Sequence, residues 1–122
     1  MKEIEIYEEI QGELLILRLK GRLDALTSEH ALEKIQASID RLSGSVLLDF
    51  TNIDYLSSSG MRVLLSVYKN LKEKKRKLGV CSVADGVSDV LRMSGFMEVI
   101  PIFSTEAKAR EALTPKETAK QT

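Results

Sequence analysis

The amino-acid sequence predicts an α/β domain with a mainly parallel five-stranded sheet, an antiparallel N-terminal edge strand and about four helices. Three observations carry this. From Leu14 onward, short apolar runs alternate with helically spaced segments in a βαβαβαβα order, which right-handed crossovers convert into parallel strands. The runs "LLILRL" and "VLLDF" are apolar on both alternating sides, as strands covered on both faces must be. At 122 residues the chain has the length of one domain, enough to bury roughly two-thirds of its unfolded surface in a single core.

Ile4, Ile6 and Ile10, set among acidic residues, predict a partly exposed first strand. "QGE" at 11–13 then reverses the chain into a second strand, Leu14 to Leu19, ended by Gly21. From Thr27 the spacing Leu32, Ile35, Ile39, Leu42 is helical, with Glu29 in the first turn, and Ser43 and Gly44 stop that helix. Val46 to Phe50 reads as a third strand and "TNIDYL" as a short connection. Met61, Leu64, Leu65, Tyr68 and Leu71 mark the second helix. Its cationic end, Lys72 to Lys77, reads as a solvated terminus suited to the helix dipole. "LGVCSV" supplies a fourth strand, "DGVSDVLRMSG" a short helix closed by Gly95, "EVIPIF" the last strand and "TEAKAREAL" the last helix. Met61 falls at a core-facing period, and Met93 and Met97, which flank Gly95, read as core-filling residues with adaptable partner contact as the alternative. The domain is expected to span 1–113, and the polar stretch 114–122 to be a disordered tail.

Composition excludes several classes of function. Eighteen basic and eighteen acidic side chains cancel, so the positive field that nucleic acid or anionic lipid requires is absent overall. The single cysteine, Cys81, forms no internal disulfide and reads as a buried small hydrophobe, which suits a cytoplasmic setting. No segment approaches the ~20 apolar residues of a membrane span. The only histidine, His30, falls on the first helix facing solvent, and "LSSSG" lacks the glycine of a nucleophile elbow, so no enzyme is expected. No zinc-spaced Cys/His cluster or phosphate-binding glycine loop is present, and no cofactor is expected. Asp49 in "VLLDF" reads as a strand-end residue bonding local backbone rather than as a receiver-type phosphoacceptor, because the acidic pair and lysine of a receiver are missing.

In open α/β sheets, functional groups gather at the carboxyl ends of parallel strands, where loops lead into helix N-termini. Three loops qualify: "GRLDALTS", "TNIDYLSSSG" and "SVADG". If their strands are neighbours, Asp24, Ser57 to Gly60, and Asp85 share one rim. Ser57 or Ser58 is suited to cap the following helix, and one serine suffices for that. The remaining hydroxyls, above a low Gly60, stand at a helix N-terminus that would welcome an anion.

"GRLDALTS" at 21–28, "VLLDFTNIDYLSSSGMRVLL" at 46–65 and "VLRMSGFMEVIPIFSTEAKAREAL" at 90–113 together resemble the STAS domain, in the form of a stand-alone bacterial anti-sigma factor antagonist. The resemblance covers all but the tail. It implies a partner-switching protein that binds an anti-sigma factor with serine kinase activity when unphosphorylated and is released on phosphorylation. A PP2C-type phosphatase would reverse the change. Matching the glycine of the family's Asp-Ser-Ser/Ala-Gly segment to Gly60 makes Ser58 the phosphoacceptor, with Asp24, Ser57, Ser59, Gly60 and Met61 on the partner-binding surface. Ser57 stands where the family pattern commonly has aspartate. The alternative the resemblance allows is a non-switching STAS scaffold or subunit of a larger regulatory or transporter assembly. A weak homodimer is also compatible with this reading.

Overall fold

The computed structural model describes residues 3–114. The tail expected at 114–122 lies outside them apart from Thr114. β1 (Glu5–Gln11) and β2 (Leu14–Leu23) form the N-terminal hairpin, with Glu5 opposite Lys20 and Gln11 opposite Leu14. There follow α1 (Ser28–Arg41), β3 (Ser45–Leu56), α2 (Ser58–Glu73), β4 (Leu78–Cys81) and α3 (Asp85–Met93). A single 3-10 turn at Phe96–Glu98, β5 (Ile102–Phe103) and α4 (Glu106–Leu113) complete the chain. The sheet order is β1-β2-β3-β4-β5, antiparallel in the first pair and parallel in the rest, as the alternation of elements predicts.

Side-chain alternation divides the sheet between two apolar clusters. Leu15, Leu17, Leu19 and Leu23 of β2 join Val46, Leu48 and Phe50 of β3 in the larger one, against Ile35 and Ile39 of α1, Val67 and Leu71 of α2, and Leu91 of α3. Leu14, Ile16, Leu47 and Cys81 belong to the other face and meet Ala109 and Leu113 of α4. Burial on both sides is why the strands read as continuous apolar runs. Gly79 lets α4 come close, since a Cβ there would lie 2.9 Å from Leu113 Cδ1.

Four elements differ from the sequence reading. β2 passes through Gly21 to Leu23, and β3 continues through "TNIDYL" to Leu56. The reason is bulging: Arg18 pairs with Asp49 but Lys20 with Asn52, and Gly21 pairs with Ile53 but Arg22 with Tyr55. β3 gains one residue at each step, so its buried side chains fall at Phe50, Ile53 and Leu56, three apart rather than two. The last strand shrinks to Ile102–Phe103 because residues before it satisfy their backbone in turns, with Glu98 N–H donating to Gly95 O and Ile100 N–H to Phe96 O. β4 stops at Cys81, where Ser82 takes a left-handed φ of 61°.

The helix ends follow local chemistry. Gly95, at φ 81°, closes α3 in the left-handed conformation that glycine adopts without a steric penalty. Arg76 is not a solvated end of the basic run. Its Nη1 donates to Ile39 O at 2.8 Å and its Nε to Gly44 O at 2.7 Å, so it caps the C-terminus of α1 from across the fold. Met61 and Met97 pack against the larger cluster, whereas Met93 is exposed and does not fill the core.

Candidate functional site

The chain leaves β2 at the buried Leu23 and forms a closed loop before α1. The Oδ1 of Asp24 accepts the N–H groups of Leu26 at 2.9 Å and Thr27 at 3.1 Å. The Thr27 hydroxyl donates to Arg22 O at 2.6 Å, and the Ser28 hydroxyl donates to Asp24 O at 2.6 Å. The Asp24 carboxylate therefore closes a side-chain-to-backbone turn just ahead of α1. Partial burial pushes its carboxyl up. The Leu26 and Thr27 N–H groups, Arg22 and the Thr27 hydroxyl outweigh that and hold it below the usual range. Arg22 lies 4.2 Å above the Tyr55 ring centre, which ties the ends of β2 and β3 together.

The three serines have three different environments. Ser57 is the extended N-cap of α2, and its Oγ accepts the Gly60 N–H at 3.2 Å. Its own N–H donates to Leu23 O at 2.9 Å, which fastens this turn to the Asp24 loop. Ser58, the first helical residue, is exposed, and Ser59 is half-buried. Gly60 is buried against the end of β2, where a Cβ would sit 2.8 Å from Leu23 Cβ and 2.6 Å from Leu56 Cδ1. Met61 is half-buried. The first turn of α2 carries no acidic side chain, so the partial positive charge there is not offset from within the helix.

Asp24 and the Ser57–Met61 turn are thus brought together by direct contacts through Leu23. The contacts through Leu23 do not include Asp85. β4 pairs with β3 only as far as Cys81 opposite Asp49, while β3 runs on to Leu56, and the start of α3 at Asp85 is exposed. Asp49 lies within β3 rather than at its end. Its Oδ1 does accept local bonds from Thr51, and its Oδ2 receives Arg18 Nη1 at 2.8 Å. Arg18 also reaches Glu9 and Glu106, so this cluster joins β1, β2, β3 and α4 below the rim.

Leu26 is not among the residues that the sequence pattern singles out. It is 83 % exposed at the tip of the Asp24 loop, beside a groove of about 760 Å³ that also reaches Glu5, Lys20, Arg22 and Asp54. The available signal was an aliphatic residue in "DALTS" that belongs to neither the strand nor the helix period. Among the described residues, no group of acidic, histidine or cysteine side chains could hold a metal ion, and no helix is long and apolar enough to cross a membrane.

A five-stranded sheet, antiparallel in its first pair and parallel in the rest, with helices on both faces, is the fold this chain shares with solved anti-sigma factor antagonists. The STAS domain family model matches residues 2–109, and the chain belongs to that family. It is 33% identical over 105–107 residue alignments to curated relatives; one, the anti-sigma F factor antagonist of Paenibacillus polymyxa, aligns over 107 residues, 87% of this chain and 92% of that protein. The fold matches the crystal structure of an anti-sigma factor antagonist from Mycobacterium paratuberculosis with a TM-score of 0.83 at 18% identity, covering 92% of this chain and 95% of that one. It also matches the Bacillus cell fate determinant SpoIIAA in its phosphorylated form, with a TM-score of 0.67 at 21% identity over 88% of this chain and 98% of that one.

Proposed function

We propose that this chain is an anti-sigma factor antagonist whose binding is gated by charge at Ser58. In the unphosphorylated form it binds an anti-sigma factor with serine kinase activity through Ser58, its neighbours Ser57, Ser59 and Met61, and the Asp24 loop. Gly60 keeps the backbone low between them. Phosphorylation of Ser58 releases the partner, and a PP2C-type phosphatase restores binding. The observation that carries this reading is the exposed Ser58 hydroxyl on the first turn of α2, beside a capping serine already committed to the backbone. The Paenibacillus relative's name supports the partner class.

A phosphoserine adds about −1.5 to −2 charge and three acceptor oxygens. At the α2 N-terminus that charge is favoured by roughly 0.3–1 kcal/mol, so the fold accepts it. Burying the same dianion beneath a partner costs several kcal/mol, and each ~1.4 kcal/mol is tenfold in affinity. The interface is therefore far more sensitive than the fold. Incubation with the cognate kinase and ATP, followed by phosphosite mapping, tests the first step. Modification confined to Ser58 and abolished by Ser58→Ala is expected; modification at Ser57 or Ser59, or none, overturns it.

A further inference from the structure

We propose that the docking surface continues from Ser58 over the Asp24 loop into the neighbouring groove, with Leu26 as its apolar anchor, and that the partner brings an apolar recess flanked by a basic side chain. This rests on the reading of Ser58 as the gate.

Leu26 is a large aliphatic side chain left 83 % exposed on a loop that is not loose. Its own N–H is bonded to Asp24 Oδ1, and the two residues that follow it are fixed by the bonds of Thr27 and Ser28 back to Arg22 and Asp24. An apolar group held out to water by a fixed backbone loses little entropy when covered, which is the property of an interface anchor. The loop is also continuous with the serine turn, because Leu23 O accepts the Ser57 N–H and Leu23 packs against Gly60. A partner seated over Ser58 meets Leu26 next.

The groove beyond sets the partner's charge. Glu3, Glu5, Asp24 and Asp54 line it, against Lys20 and Arg22, and Arg22 is already paired with Asp24. The excess is acidic, so a basic side chain is the complementary occupant. Lys20 and Arg22 alternate with the core residues Leu19 and Leu23, and so lie on the α4 side of the sheet, away from the face that α2 packs. The basic group thus approaches the groove rather than the Ser58 hydroxyl, and it does not neutralise a phosphate there. On this account Asp24 is a positioning residue: its carboxylate shapes the loop, and Leu26 makes the contact.

The test uses the anti-sigma factor recovered with the full wild-type chain, purified and titrated against variants. Leu26→Ala is expected to weaken binding about tenfold or more, as anchors do. Leu26→Met should stay near wild type, and Asp54→Lys should weaken binding while flattening its salt dependence. Thermal midpoints of all three should be unchanged, since these side chains are exposed. Leu26→Ala binding within about twofold of wild type, while Ser58→Asp is lost, overturns this inference and leaves the Ser58 gate standing. Ser58→Asp binding like wild type overturns the gate itself, and recovery of no partner overturns both.

Discussion

The Ser57 Oγ accepts the Gly60 N–H at 3.2 Å, and this one bond separates the roles of adjacent serines. Ser57 is occupied with the backbone of α2, which leaves Ser58 exposed on the same turn. Ser57→Ala should lower stability by about 1 kcal/mol in urea unfolding. Ser57→Asp keeps an acceptor at the cap and adds charge where the dipole favours it, so it should match or exceed wild type by about 0.3–1 kcal/mol. Equal stability of the alanine and aspartate variants would show that the cap contributes nothing.

Gly60 is required by space rather than by backbone conformation. A methyl group there meets the Leu23 side chain and carbonyl at 2.8 Å and Leu56 at 2.6 Å. Gly60→Ala should therefore destabilise by about 1–3 kcal/mol, the usual range for overpacking, despite alanine's better helix propensity. Denaturant midpoints check it; a variant as stable as wild type would mean that α2 moves away from β2 freely.

Asp24 is predicted to act on the loop. Asp24→Ala removes the acceptor of the Leu26 N–H and one of two acceptors of the Thr27 N–H, which keeps Asp24 O at 3.3 Å, so hydrogen exchange should accelerate most at Leu26 while α2 amides keep their protection. Unchanged exchange at Leu26 would contradict the assigned role.

The Arg18 cluster predicts an acid limb. Burial raises the Asp49 carboxyl, but the Thr51 hydroxyl and N–H and the Arg18 guanidinium outweigh it, and the folded value lies below the ordinary 3.8. A carboxyl depressed in the folded state binds its proton more readily when unfolded. Its contribution is thus full above about pH 4 and lost as pH falls through the lower folded value. Urea midpoints measured from about pH 6 to pH 2 should fall less steeply in Asp49→Asn than in wild type. Parallel curves would remove Asp49 from that limb.

The architecture was legible because burial on two faces leaves a plain mark: "LLILRL" and "VLLDF" lack polar alternation, and the helices between them keep the 3.6 period. The end of β3 was not. Its two bulges convert a period of two into Phe50, Ile53, Leu56, which resembles no strand. Arg76 was hidden differently, since a cation in a basic run gives no sign of which carbonyls it will meet. At the site, sequence pattern picked out Asp24 and the serines, but it could not divide capping from exposure among identical side chains. Leu26 escaped because a period finds what is buried and says nothing of an aliphatic side chain held outward.

The most direct measurement is the affinity of the isolated anti-sigma factor for the chain phosphorylated at Ser58, set beside the unmodified chain and its thermal midpoint. Phosphorylation should weaken binding by about a hundredfold or more and leave the midpoint essentially unmoved. Retained affinity, or a modified chain that melts well below the unmodified one, would contradict it.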